Sequence, residues 1–222
     1  IYDLNTELIN VYETVRDDVA GLIELLQTYP NEEDFFYEMR SKDRDSSFAH
    51  MTRTERAART VYLNKTCYNG LYRVNNAGQF NSPFGRYTNP AICDEETLRA
   101  VSEYLNSNKV SFNTGDYAAI LKDAKEGDFV YFDPPYDPVN PTSNFTGYQS
   151  GGFGREDQLR LKGVCDKLDA AGVKFLLSNS ATDFIQEIYS EYEINIVGAT
   201  RSINSVASKR GKVDEVLVRN YG

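Results

Sequence analysis

Tryptophan is absent from the 222 residues, histidine occurs once, at His50, and cysteine three times, as Cys67, Cys93 and Cys165. The cysteines lie far apart and form no C-x-x-C pair, which excludes a disulfide scaffold and a zinc ribbon and points to a reducing, cytoplasmic compartment. His50 sits in polar text and reads as a solvated side chain. With no His, Cys or carboxylate cluster at ligand spacing, no metal is expected. No apolar run approaches the roughly 18 residues that span a bilayer, and no charged-then-apolar leader opens the chain, so no membrane partner is expected. An excess of basic charge is lacking too. Lys and Arg number 24 against 33 Asp and Glu, a formal charge of −9, which excludes a uniformly basic, histone-like nucleic-acid coat. Internal repeats and low-complexity tracts are also absent.

What is present suits one core of ordinary size, or one domain carrying an insertion. Charge is unevenly spread. Residues 1–38 hold ten acids and one base, Arg16, and therefore the whole of the −9. Residues 40–73 hold eight bases against Asp43, Asp45 and Glu55, and a second basic run follows with Arg201, Lys209, Arg210 and Lys212. Two such patches suit either a polyanion gripped on one side or ordinary solvated faces. The chain opens on Ile1-Tyr2-Asp3-Leu4-Asn5 without Met and reads like the end of a buried strand, with sequence upstream missing.

Periodicity gives the layout. Leu8, Ile9, Tyr12, Val15, Val19, Leu22, Ile23 and Leu26 predict one amphipathic helix over 6–28. Asn31 with Asp34 suggests a capped short helix, and Thr52 with Glu55 a capping box opening another. From Tyr68 to Tyr87, Asn, Gly, Pro and aromatics indicate a loop and irregular hairpin. A helix near 94–106 precedes alternating elements: a short strand at 110–113, a short helix at 117–124, a buried strand at 129–132, a helix at 155–171 closing on Gly172, a strand at 174–178, a helix at 182–190, and strands at 193–197 and 215–221. This alternation implies a mostly parallel sheet with helices on both faces, and the final strand pair an antiparallel edge.

The strongest chemical signal is Asp133-Pro134-Pro135-Tyr136, directly after the apolar strand. Ligands of open α/β sheets sit beyond the carboxyl ends of strands. There the Tyr136 ring can stack on a planar base, while the Asp133 carboxylate and the Pro134 carbonyl accept hydrogen bonds from its amino group. Drawing those protons toward acceptors frees the nitrogen lone pair to attack an electrophilic methyl. The prolines stiffen the turn. A plain Pro-Pro turn with an Asp cap is the bland alternative.

This D-P-P-Y resembles the catalytic motif of S-adenosylmethionine-dependent amino-methyltransferases. Y-N-G-L-Y-R-V-N-N-A-G-Q-F-N-S-P-F-G-R-Y at 68–87 resembles the target-recognition stretch of the Dam family of DNA adenine-N6 methyltransferases. F-L-L-S-N-S at 175–180 and the text from 199 to 221 are also similar to that family, near its GATC-methylating DpnII type. The resemblance implies a Rossmann-like α/β methyltransferase domain over 1–38 and 108–222, with a mainly helical target-recognition domain inserted at 39–107. It implies S-adenosylmethionine as methyl donor and double-stranded DNA with a GATC-type site as partner.

Residue by residue, the resemblance makes Asp133, Pro134, Pro135 and Tyr136 catalytic. It makes Arg73 the reader of a guanine edge, donating twice to O6 and N7. Leu71 and Pro83 match apolar contacts to a thymine methyl, Tyr68 a wedge in the base stack, and Asn69 the neighbour of the orphaned base. Arg86 and Tyr87 match backbone contacts. Asp3 and Leu4 match the cofactor ribose and adenine contacts, and Asp116 with Tyr117 a later contact to the cofactor base, with Asp133 bordering that site. Adenine must leave the stack to react, and loop 144–153 is positioned to act as a lid.

The family's Lys/Trp opening motif and F-x-G-x-G turn have no counterpart among the 222 residues. The chain is thus expected to be either a piece of a longer protein or impaired in cofactor binding. The latter alternative is a non-catalytic, sequence-specific DNA-binding module. Cytosine-C5 chemistry needs a thiolate, usually presented after proline; the three cysteines follow Thr66, Ile92 and Val164, against that class. Cytosine-N4 methylation uses similar geometry, but its family more often has Ser where Asp133 stands.

Overall fold

The computed structural model of the chain describes residues 1–139, 152–200 and 212–222. It divides into two compact units, Ile1–Tyr117 and Ala118–Gly222.

The first unit is mainly helical. Strand β1 (Tyr2–Asp3) leads into α1 (Thr6–Asp17), whose first turn is capped by Asn5, its side chain accepting from the amides of Glu7 and Leu8. The single helix expected over 6–28 is two, α1 and α2 (Val19–Thr28). Asp18 is the reason. Its backbone leaves the helical region (φ −147°, ψ 50°), it closes α1 through a bond to the Thr14 carbonyl, and its carboxylate accepts from Gly21 N to open α2. Asp competes with the helical backbone for hydrogen bonds in this way, whereas apolar periodicity runs across the break unaffected.

Helix α3 (Glu33–Ser41) forms, but Asn31 does not cap it; the Asn31 amide donates instead to the Tyr87 carbonyl, 2.7 Å away. Helix α4 (Arg53–Thr66) starts at the Thr52–Glu55 capping box. It packs on α1, α2 and α3, and its Ala57, Ala58, Tyr62 and Leu63 are 0–1% exposed. Two alanines on the inner face let neighbouring helices approach closely. Leu22, Leu26 and Phe36 complete this core, each fully buried side chain contributing about 1.5–3 kcal/mol of transfer free energy. The buried Tyr62 hydroxyl is satisfied by the Pro30 carbonyl. Helix α5 (Glu95–Ser107) follows the hairpin region. Strand β2, expected over 110–113, is the two-residue Asn113–Thr114, parallel to β1 with Asp3 opposite Thr114. The short helix expected at 117–124 is a 3-10 turn over Tyr117–Lys122, which begins at the last residue of this unit and continues into the second.

The charges that the sequence separates meet here. Acids of α1 pair with bases of α4, Glu13 with Arg53 and Glu7 with Arg56. Lys42 pairs with Glu38, and Arg44 and Arg59 with Asp43. Much of the positive stretch 40–73 is therefore neutralised within the fold.

The second unit contains β3 (Phe129–Phe132), α6 (Arg155–Ala170), β4 (Lys174–Ser180), α7 (Asp183–Ile188), β5 (Glu193–Thr200) and β6 (Lys212–Arg219). Gly172, at φ +71°, supplies the left-handed turn between α6 and β4. The sheet order is β3-β4-β6-β5. β3 and β4 are parallel, while β6 runs antiparallel to both β4 and β5. Among the described residues the sheet is therefore mixed rather than mostly parallel. The C-terminal strand lies inside it, and β5 forms the edge.

The cause is visible along the strands. Val216 and Val218 of β6 are fully buried, whereas Ile196 and Val197 of β5 are 59% and 44% exposed. Both strands read as apolar, and only pairing decides which is interior. Likewise β3 is not buried on both sides. It ends the described four-stranded sheet, and its Phe129 and Tyr131 are each 55% exposed.

Candidate active site

β3 delivers Asp133-Pro134-Pro135-Tyr136 at its carboxyl end, and the parallel neighbour β4 ends beside it in Ser178-Asn179-Ser180, all three buried. Polar residues in the last turns of a central strand require partners. The Ser178 hydroxyl donates to Asp133 Oδ1 at 3.0 Å. Its oxygen lies 3.1 Å from the Tyr131 hydroxyl. Since the one Ser178 proton is given to Asp133, Tyr131 is the donor in that pair. One carboxylate oxygen is thereby fixed, and Asp133 is otherwise exposed. Burial raises the Tyr136 phenol above its ordinary range; its contact with Ser178 pulls the other way, and the Asp133 charge adds to the rise. Tyr136 accordingly stays a neutral aromatic ring.

Asp137, next in sequence and 3% exposed, accepts from the Thr182 hydroxyl at 2.8 Å and lies 3.6 Å from the Arg155 guanidinium. Thr182 is also the N-cap of α7, so the turn after the motif is tied to a helix start. Gln158 on α6 donates to the Pro135 carbonyl.

In the first unit, residues 66–87 fold back on themselves. Tyr68 N donates to the Pro83 carbonyl, Gly85 N to Thr66 O, and Asn81 N to Arg73 O, each at 2.8–2.9 Å. Bridges join Val74 with Phe80 and Cys67 with Phe84. Asn69 and Arg86 lie in the left-handed region at φ 56° and 54°; Asn tolerates this conformation better than Arg. Tyr68, Asn69, Arg73, Pro83, Arg86 and Tyr87 are exposed, and Leu71 is half-buried. The Arg73 guanidinium is held by Asn81, through Nε to Oδ1 at 2.7 Å and Nη2 to the carbonyl at 3.3 Å. Its Nη1 edge is not used in that contact. The second strand of this hairpin is anchored from below: Phe80 N donates to Asp43, and the Ser82 and Phe80 carbonyls accept from Arg40 and Arg44.

Residues 1–203 match the family described as D12 class N6 adenine-specific DNA methyltransferase. The chain belongs to that family. A type II methyltransferase of Lactococcus lactis subsp. cremoris is 46% identical over 224 residues, covering all of this chain and 79% of that protein. A type II methyltransferase of Methanocaldococcus jannaschii is 41% identical, again over the whole chain and 79% of the relative. The DNA adenine methylase of Escherichia coli K12 is 33% identical across 97% of this chain and 76% of its own length.

This N6 adenine-specific DNA methyltransferase therefore acts on DNA, and the cytosine alternatives fall away with the family. Among the described residues no group of His, Cys, Asp or Glu is arranged to hold a metal, and no helix is long and apolar enough to cross a membrane.

Of the sequence-predicted residues, the structure brings Asp133, Pro134, Pro135 and Tyr136 together in one turn, and Tyr68, Asn69, Leu71, Arg73, Pro83, Arg86 and Tyr87 onto one hairpin region. Asp3 is the last residue of β1 and Asp116 lies two residues beyond β2, its parallel partner, with Gly115 N bonded to the Asp3 carbonyl at 3.0 Å. Leu4 is 47% exposed, and Tyr117 begins the 3-10 turn. The loop 144–153, apart from Gly152 and Phe153, and the basic run 201–211 lie outside the described residues. The sequence reading gives no site role to Ser178, Gln158, Asn179 or Asn81, although all but Gln158 fall within the stretches at 68–87 and 175–180 that carry the family resemblance. The available signal was polar text, S-N-S, ending an otherwise buried strand.

Proposed function

We propose that this methyltransferase methylates adenine N6 within GATC in duplex DNA, using S-adenosylmethionine after flipping the base out of the stack. The observation that carries the reading is Asp133 at the carboxyl end of β3, one oxygen committed to Ser178, in a turn whose next residues are two prolines and an aromatic ring. The whole would be a Rossmann-like catalytic domain over 1–38 and 108–222, with 39–107 as the recognition domain.

The residues present fit the cofactor. A nucleoside offers hydroxyl and amino donors, and Asp3 and Asp116 present two carboxylates at the same end of paired strands, the usual ligand position of an α/β sheet. Leu4 and Tyr117 would give the cofactor base apolar cover. The cofactor supplies an electrophilic methyl carried on sulfur. This chain's residues do the rest. Tyr136 stacks on the flipped adenine; Asp133 and the Pro134 carbonyl accept the two amino protons, holding the nitrogen pyramidal with its lone pair directed outward. Direct in-line transfer would form the N6–CH3 bond as the S–CH3 bond breaks, the cofactor sulfur leaving as a neutral thioether and the surplus N6 proton passing by way of Asp133 to solvent; no cysteine takes part.

On the hairpin, Arg73 reads guanine and Leu71 and Pro83 meet a thymine methyl. Tyr68 and Asn69 occupy the space left by the base, while Arg86 and Tyr87 grip the backbone. The test is transfer of labelled methyl to a GATC duplex and to duplexes altered at one base pair. Arg73→Ala is expected to cost roughly 1–3 kcal/mol and to relax preference at one base pair. Equal weakening on all sequences would make Arg73 a phosphate contact, and no incorporation into any adenine-containing duplex would sink the reading.

A further inference from the structure

Gln158 and Asn179 lie outside the predicted site and are 1% and 0% exposed, yet neither is idle. Asn179 Oδ1 accepts from two backbone amides, Asp137 N at 2.9 Å and its own neighbour Ser180 N at 2.8 Å. Because both of those groups are obligate donors, that end of the amide must be oxygen, and the other end must be NH₂. The NH₂ faces Gln158 Oε1 at 3.1 Å. Gln158 is thereby oriented in turn, and its own NH₂ meets the Pro135 carbonyl at 2.9 Å. The donor–acceptor order along Pro135 carbonyl, Gln158, Asn179 and Asp137 amide is thus determined throughout by the backbone groups at its two ends.

We infer that the Gln158–Asn179 amide pair is a positioning clamp for the methyl-transfer turn. It grips the backbone on both sides of Tyr136, at the Pro135 carbonyl and the Asp137 amide, and anchors it to α6 and β4. Pinning Pro135 selects which of the two proline carbonyls is consumed by the protein, leaving that of Pro134 to accept from the substrate amine. This rests on the proposed role of Asp133, Pro134 and Tyr136. Buried amide pairs are costly unless complete, which explains why two uncharged polar side chains occupy an interior that apolar residues would fill at lower cost.

The test uses the whole chain with S-adenosylmethionine and a GATC duplex, under single turnover, with DNA affinity and thermal unfolding measured in parallel. Gln158→Leu removes both bonds of residue 158 and is expected to slow transfer roughly 100-fold, the scale of a misplaced reacting group, while DNA affinity changes less than threefold. Gln158→Glu is the decisive variant. A carboxylic acid can reproduce the glutamine pattern, donating to Pro135 and accepting from Asn179, but a carboxylate cannot donate. Burial raises such a group's pKa, so the rate relative to wild type at the same pH is expected to recover at least tenfold between pH 8 and pH 5.5. A merely space-filling role gives no such profile. If Gln158→Leu does not fold, Gln158→Glu compared with itself across pH decides the matter alone. A ratio that stays low throughout that range, or a wild-type rate in Gln158→Leu, overturns the clamp, whereas a Gln158→Glu rate near wild type at both ends supports it as a carboxyl held protonated by burial. A wild-type chain that transfers no methyl overturns the underlying reading instead.

Discussion

Asp43 ties three segments of the first unit together, and its removal has a calculable cost. Its carboxylate, 12% exposed, pairs with the Arg59 guanidinium, 4% exposed, at 2.8 Å. It also accepts from Phe80 N at 2.8 Å and pairs with Arg44. In Asp43→Ala the Arg59 charge stays buried without its counter-ion, a change that costs about 3–5 kcal/mol. Arg59 keeps the Met39 and Arg40 carbonyls at 2.6 and 3.1 Å, which places its share near ~3 kcal/mol. An amide left without its acceptor at Phe80 adds about 1 kcal/mol, and the more exposed Arg44 pair adds little. The expected loss is about 4 kcal/mol, read by equilibrium urea unfolding. Pairing Asp43→Ala with Arg59→Met removes the stranded charge and is expected to restore at least half of it, as buried ion pairs often exchange for apolar side chains without loss. A single-variant loss below about 1 kcal/mol, or a double variant less stable than Asp43→Ala, would refute the reasoning. Because Phe80 anchors the hairpin that carries Arg73, DNA affinity should fall along with stability.

Three further predictions concern the two sites and the thiols. Gly85→Ala would place a Cβ 2.7 Å from the Cys67 carbonyl oxygen, a backbone atom, and 2.6 Å from the Tyr87 ring; a loss of about 2 kcal/mol by urea unfolding is expected, and an unchanged midpoint would contradict the close approach. Ser178→Ala removes the donor to Asp133 and is expected to lower single-turnover methyl transfer about tenfold, the worth of one hydrogen bond to a charged group; a wild-type rate would show that Asp133 needs no such fixing. Burial pushes the Cys67 and Cys165 thiols up to about 11 and about 12, whereas an unfolded thiol ionises near ~8.5. The folded chain thus keeps protons that the unfolded chain releases, so this stability is complete below about pH 8.5 and is lost as pH climbs through 11. Urea midpoints from pH 8 to 10.5 should fall less steeply in Cys67→Ala/Cys165→Ala, and a thiol reagent should label the half-buried Cys93 first.

Local signals survive folding well. The Thr52–Glu55 box, the Gly172 turn, the strand before Asp133 and the irregular hairpin at 68–87 are all legible, because each depends on residues within a few positions of one another. Features that depend on a partner elsewhere in the chain are not. Asn31 reads as a cap until Tyr87 is placed beside it. Asp18 interrupts a helix whose apolar spacing continues without a break. The basic stretch 40–73 reads equally as a surface for a polyanion or as solvated faces, and only the fold shows that α1 supplies counter-ions to Arg53 and Arg56.

The sequence by itself determined which contiguous residues stand together: a carboxylate, two prolines and an aromatic ring after an apolar strand, and a separate run of Arg, Asn and apolar residues at 68–87. Contiguous residues carry both motifs, so they can be read in one dimension. Only the tertiary structure decided that the C-terminal strand is interior, that Asn81 holds Arg73, and that Ser178, Asn179 and Gln158 support the Asp133 turn from another strand and a helix. Their bonds to that turn span 23 to 45 residues of sequence, and hydrogen bonds across such separations exist only once β3 has paired with β4 and α6 has packed on the sheet.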